Sequence, residues 1–220
     1  MPLLTIPYGT GERQPGGPAV TIDTDARDPL RLNDGPYSYE GGTQGPGASP
    51  AERLDFLRDH LTELCDMWAK RPRQFVGLYF RFIGRIMERD RVQIETKIRK
   101  LGGLFTVEDF AFSALRPLPR AHLDDIRLDF AFWTGDSLSV VDITSDDSRG
   151  PAWESRRARL TRAGARVIEI PAAIIARDDP ASIEGLLPRE FSEFWQSENL
   201  PSSPFKATGL GEAVSGPPDF

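Results

Sequence analysis

The run Ile126-Arg127-Leu128-Asp129-Phe130-Ala131-Phe132-Trp133-Thr134-Gly135-Asp136-Ser137-Leu138-Ser139-Val140-Val141-Asp142-Ile143-Thr144 decides the fold. Two segments of aromatic and β-branched residues flank Gly135-Asp136, a favoured two-residue hairpin loop because glycine accepts the positive φ of a type II′ turn. Such a loop sets the register. Trp133 then faces Leu138, Ala131 faces Val140, Asp129 faces Asp142 and Arg127 faces Thr144, all on one side. The other side carries Leu128 with Ile143, Phe130 with Val141 and Phe132 with Ser139, and is the candidate core.

This register sets two carboxylates opposite each other within a sheet. Facing side chains come within about 5 Å, so like charges there are destabilising and call for a neutralising group. Two readings stay open. A divalent cation would take the carboxylate oxygens, or Arg127 or an arginine of the next helix would pair with the acids. A slip of one residue would send the carboxylates to opposite faces.

Upstream, Ser49-Pro50 opens a helix, with serine as N-cap and proline in the first turn. Leu54, Leu57, Leu61, Leu64, Cys65 and Trp68 follow helical spacing, and Arg71-Pro72 is the expected end. A second helical pattern runs from about Pro72 to Lys100, with a break at Arg89-Asp90 and a stop at Gly102-Gly103. Leu104–Leu115, with Phe105, Val107, Phe110 and Phe112, reads as a strand. Downstream, Ser148–Ala163 reads as a helix stopped by Gly164, Arg166–Pro171 as a strand, and Asp178–Ser197 as one or two closing helices. The expected organisation is a disordered Gly/Pro-rich arm over 1–49, a helical segment over 50–87, an α/β core over 88–199 and a flexible tail over 200–220.

Composition excludes several classes. A net charge of −6 over 220 residues argues against a broad polyanion-binding surface, while leaving room for a local basic groove. The single cysteine, Cys65, allows no internal disulfide, so a reducing, cytoplasmic setting is expected. Phe75–Met87 is interrupted by Arg81 and Arg85 and is shorter than the roughly 20 apolar residues of a bilayer span. A membrane protein is not expected. His60 and His122 have no cysteine or histidine at zinc-ligand spacing, and no phosphate-binding glycine loop joins a strand to a helix.

The order of elements over 88–171 resembles the PD-(D/E)XK nuclease-like superfamily, nearest to its compact Vsr-like members. Arg127-Leu-Asp-Phe-Ala-Phe132 looks like the first acidic motif, with Asp129 as its aspartate. Leu138-Ser-Val-Val-Asp-Ile-Thr144 looks like the second, with Asp142 in the acidic position. Ser155–Ile170 looks like the helix and strand that follow. The resemblance implies an α/β fold with an αβββαβ restriction-endonuclease-like core and a mixed four-stranded sheet, preceded by a helical segment.

It also implies a site. Asp129, Asp142 and the carbonyl of Ile143 would hold Mg²⁺ or Mn²⁺, with Glu95 as an additional acid on the preceding helix. The metal would activate a water and polarise a phosphate. Thr144 stands where the family has a lysine, so it can orient a water but supplies no positive charge. Arg127, expected opposite it, or Lys97 or Lys100, would provide the cation. Arg156 and Arg157 would hold a nucleic-acid backbone. Two functions are therefore expected as alternatives. One is a metal-dependent phosphodiesterase acting on nucleic acid. The other is a non-catalytic nuclease-fold subunit that docks in a larger assembly, with the N-terminal arm on a protein partner.

Overall fold

The hairpin forms in the expected register, with Phe130↔Val141, Ala131↔Val140, Phe132↔Ser139 and Trp133↔Leu138. It is seen in a computed structural model that describes residues 2–9, 18–34, 48–145 and 150–196. In chain order the strands and longer helices are β1 (Leu3–Pro7), β2 (Ala19–Asp23), α1 (Pro50–Glu63), α2 (Lys70–Arg89), α3 (Arg91–Lys100), β3 (Leu118–Pro119), β4 (His122–Leu123), β5 (Ile126–Arg127), β6 (Phe130–Trp133), β7 (Leu138–Thr144), α4 (Pro151–Arg162), β8 (Arg166–Pro171), α5 (Ala172–Arg177) and α6 (Ala181–Glu184). The main sheet is four-stranded and mixed, ordered β3-β6-β7-β8. Its first two pairings are antiparallel and the β7–β8 pairing is parallel, with α4 lying between those two strands in the chain.

Strand periodicity divides the core in two. Phe130, Phe132, Val141, Ile168 and Ile170 face a cluster built with α1 and α2, which contribute Leu57, Leu61, Phe75, Tyr79, Phe82 and Ile86. Ala131, Trp133, Leu138 and Val140 face the other cluster, closed by Leu160 of α4 and by Ile6, Tyr8 and Ile22. The helices of 50–87 therefore share one core with the sheet. No described helix is long and apolar enough to cross a membrane.

Helix α1 starts as its sequence dictates. Ser49 and Glu52 form a reciprocal capping box, satisfying amides that the first turn leaves without partners. The helix ends at Glu63, before the expected Arg71-Pro72. Pro72 sits instead in the first turn of α2, where its missing N–H is no loss. The break at Asp90 holds, and so does the Gly164 stop after α4, at φ +82°.

Three expectations are corrected. Leu104–Leu115 is not a strand: Glu108–Ser113 forms a 3-10 helix. Thr106 and Asp109 exchange hydrogen bonds around its start, Asp109 accepting from the Thr106 amide at 2.8 Å, and this local capping overrides the alternating phenylalanines. The sheet's edge strand is the short Leu118–Pro119, where proline is tolerated because that side needs no donor. Ile126–Trp133 is not continuous either. Ile126–Arg127 pairs with His122–Leu123 in a separate two-stranded ribbon, and Leu128 donates its amide to Ala121 at 2.8 Å.

The third correction concerns residues 1–49. Of these, 2–9 and 18–34 pack on the domain. β1 and β2 pair antiparallel, and the chain after them crosses the sheet, Leu30 donating to the Trp133 carbonyl and Leu32 to that of Ala114. Enough apolar residues (Ile6, Tyr8, Ile22, Leu32) are present to offset the ordering cost that the glycines impose. Residues 10–17 and 35–47, like the tail expected over 200–220, lie outside the described residues.

The same crossing makes the hairpin turn a tertiary contact. Gly135 has φ +101°, and a Cβ there would come 2.5 Å from the Arg27 carbonyl oxygen. Gly135→Ala is expected to lose about 1–3 kcal/mol, the cost of forcing a side chain into a sparsely populated backbone region. Urea denaturation checks it; a loss below a few tenths would mean that the crossing segment yields.

Candidate functional site

The acids converge on the sheet face shared with α4, though not as a simple cross-strand pair. The β6–β7 ladder ends at Phe130↔Val141, and Asp129 sits in the bend before it. Its backbone carbonyl accepts from the Arg120 amide at 2.9 Å. Its carboxylate Oδ2 accepts from the Ile143 amide at 2.8 Å, so the side chain replaces the backbone partner that β7 loses where β6 begins. Burial is the main cause that pushes the Asp129 carboxyl above its usual range. The Ile143 amide opposes that shift, and the charge of Asp142 adds to it.

Asp142 is 6% exposed and fully engaged. Oδ1 accepts from Arg156 Nη1 at 2.6 Å, and Oδ2 accepts from the Trp153 indole N–H at 3.1 Å. Arg156 also donates from Nη2 to the Arg127 carbonyl at 3.0 Å. Trp153 and Arg156 are three residues apart, so both lie on the face of α4 turned to the sheet. The arginine clamp thus supplies the neutralisation that the facing acids called for.

One acid was missed. The parallel register places Glu169 of β8 beside Asp142. Arg157 pairs with it at 3.3 Å and lies over the Trp153 ring at 5.4 Å. Periodicity puts Val167 and Glu169 on one face of β8, but which β7 residue they adjoin depends on a parallel register that no local signal sets. Trp153 carried a readable signal, being the only indole at i,i+3 spacing from an arginine of that helix.

The other expected residues fall elsewhere. Arg127 does not face Thr144; it aligns with His122 in the ribbon, and its guanidinium lies 3.5 Å from Asp66 in the turn between α1 and α2. Thr144 is buried at the end of β7, aligned with Pro171. Glu95 does not join the acids. It is exposed on α3 and pairs with Arg91 at 3.2 Å, while Ile94 anchors that helix in the cluster on the opposite side of the sheet. Lys97 is likewise placed there, donating to the Trp195 carbonyl at 2.9 Å. Cys65 is core, its thiol pushed up to about 12 chiefly by burial.

As arranged, the two acids offer a divalent cation few uncommitted oxygens. Both Asp142 oxygens and one of Asp129 already accept hydrogen bonds, so a cation binding them directly would have to displace Arg156, Trp153 or the Ile143 amide. Among the described residues no three of His, Cys, Asp and Glu come together as a metal-binding group. The architecture is that of a mixed α/β domain with an arginine-clamped acidic face. No family model, curated protein or solved structure matches the chain.

Asp129 yields a pH prediction. An acid whose folded pKa lies above its unfolded value keeps a proton in the folded state where the unfolded chain has lost it, so stability falls as pH rises through that window. Asp129→Asn keeps an acceptor for the Ile143 amide and removes the charge. It is expected to stabilise the protein at neutral pH by up to about 1 kcal/mol, the scale of a relieved like-charge contact. The gain should vanish as pH falls to the ordinary aspartate range. Thermal melts of both proteins across that range test it; a pH-independent difference would remove the charge explanation.

Proposed function

We propose that this chain is a restriction-endonuclease-like subunit that has given up phosphodiester hydrolysis and docks in a protein–nucleic acid assembly. The strand order β3-β6-β7-β8, with two antiparallel pairings and then a parallel one across α4, supports the nuclease-like reading of the core. The observation that carries the non-catalytic part is the Arg156–Asp142 pair at 2.6 Å, which takes the central acid out of use. Thr144 in the lysine position points the same way. A threonine hydroxyl cannot stabilise the negative charge that develops on a phosphate under attack.

A second reading, a Mg²⁺- or Mn²⁺-dependent phosphodiesterase, is favoured by one observation. Asp142's charge raises the proton affinity of Asp129, as acids that share a site do. That reading requires Arg156 to leave Asp142. Calorimetry with Mn²⁺ on the wild type and Asp142→Ala separates the two: the proposal expects no binding heat in either protein. Saturable heat in the wild type alone would carry the enzyme instead.

A further inference from the structure

We propose that the turn between α1 and α2 is a stacking platform for the bases of single-stranded nucleic acid, with Trp68 as the stacking ring. This rests on the reading of the chain as a subunit of a protein–nucleic acid assembly and names the partner. Trp68 is 86% exposed and Met67 70%, whereas Trp133 is buried and Trp153 and Trp195 are half-buried. A large ring held out in water beside a second apolar side chain marks a contact surface, because such surface is costly to leave unused.

The ring is displayed on a fixed support. The Asp66 carboxylate accepts the Trp68 amide at 3.0 Å, and the Asp66 carbonyl accepts that of Ala69 at 3.0 Å. The same carboxylate is tied to Arg127 across the structure at 3.5 Å. A ligand that stacks on Trp68 therefore meets a turn already ordered, which lowers the entropic cost of binding.

Charge complementarity identifies the ligand. Met67, Trp68, Lys70, Arg73 and Gln74 line an open depression of about 420 Å³. Arg71 follows Lys70 and bonds only to Gln74, at 3.1 Å, among the described residues. An apolar ring that shares its depression with Lys70 and Arg73 suits a chain of stacked bases on a phosphate backbone. In a duplex the base faces are covered, so a single strand is the form that offers them. Two apolar side chains are little area for insertion into a bilayer.

The platform is continuous with the acidic face. Arg127, bound to Asp66 by its guanidinium, gives its carbonyl to Arg156, the residue that clamps Asp142. A strand stacked on Trp68 would pass the exposed Arg127 toward α4.

Fluorescence anisotropy of a labelled oligothymidylate with the full chain, without divalent metal, tests the proposal. Trp68→Ala is expected to weaken binding about tenfold or more, the scale of one lost base–aromatic stack. Trp68→Phe should recover most of it, and both variants should melt like the wild type. Lys70→Gln with Arg73→Gln should flatten the salt dependence of binding. Equal affinity of Trp68→Ala and wild type, or binding of duplex but not single strand, would overturn the platform and leave the subunit reading standing. A blue shift of tryptophan emission on phosphatidylserine vesicles, with no response to the oligonucleotide, would overturn it in favour of a membrane contact. Mn²⁺-dependent cleavage of a Trp68-bound oligonucleotide would instead overturn the non-catalytic reading and leave the platform in place.

Discussion

Asp142→Asn is expected to lower the unfolding free energy by about 3 kcal/mol, with no restoration by Mn²⁺. The Asp142 side chain is 8% exposed and that of its partner Arg156 28%, so the pair is shielded enough for its loss to register. Removing one member of such a pair leaves the other with a desolvated charge and no partner, which costs about 3–5 kcal/mol. Partial exposure lets Arg156 turn toward water and puts the loss at the lower end. Asparagine keeps the volume and an acceptor for the Trp153 N–H, so packing is not the cause. Arg156→Met strands the more buried charge and should cost at least as much. Because both changes break one interaction, the double variant should lose less than the sum. Melts of the single and double variants with and without Mn²⁺ decide the assignment. An Asp142→Asn protein at least as stable as the wild type, with Mn²⁺ raising the wild-type melting temperature alone, would return the acids to a metal.

Phe132→Ala is expected to cost about 3–5 kcal/mol, the usual loss when a buried phenylalanine leaves a cavity. Phe132 is fully buried, with its ring 5.5 Å from that of Tyr79 and 4.9 Å from that of Phe191, both edge-on. It thus joins the central sheet to α2 and to the closing 3-10 turn at Arg189–Phe191. Tyr79 cannot shift to fill the space, since its hydroxyl donates to the Leu115 carbonyl at 2.8 Å. Phe132→Leu, which leaves less void, should lose under about 1.5 kcal/mol if the site repacks. Urea midpoints of the two variants give the comparison. A loss from Phe132→Ala under about 1 kcal/mol would mean that the closing turns are dispensable to this core.

What was readable in the chain was local. Gly135-Asp136 sets the hairpin register because a two-residue loop leaves the strands no other alignment, and Ser49 and Glu52 set the start of α1 through hydrogen bonds spanning four residues, with Pro50 in the first turn. The break at Asp90, the parallel-strand segment Arg166–Pro171 and the presence of Asp129 and Asp142 on one face also follow from periods of 3.6 and 2. Tertiary structure alone decided the rest. Thr106–Asp109 capping turned an alternating segment into a 3-10 helix, and the edge strand fell to Leu118–Pro119. The glycine-rich start of the chain found a surface for Ile6, Tyr8 and Ile22. The partners of the acids were decided in the same way. Whether Asp142 met a cation from solvent or Arg156, 14 residues on, depended on how α4 docks on the sheet, and the neighbour Glu169 on a parallel register joined through that helix. Backbone preferences act over a few residues, whereas the pairing of a buried charge is settled by whichever groups packing brings within hydrogen-bond reach.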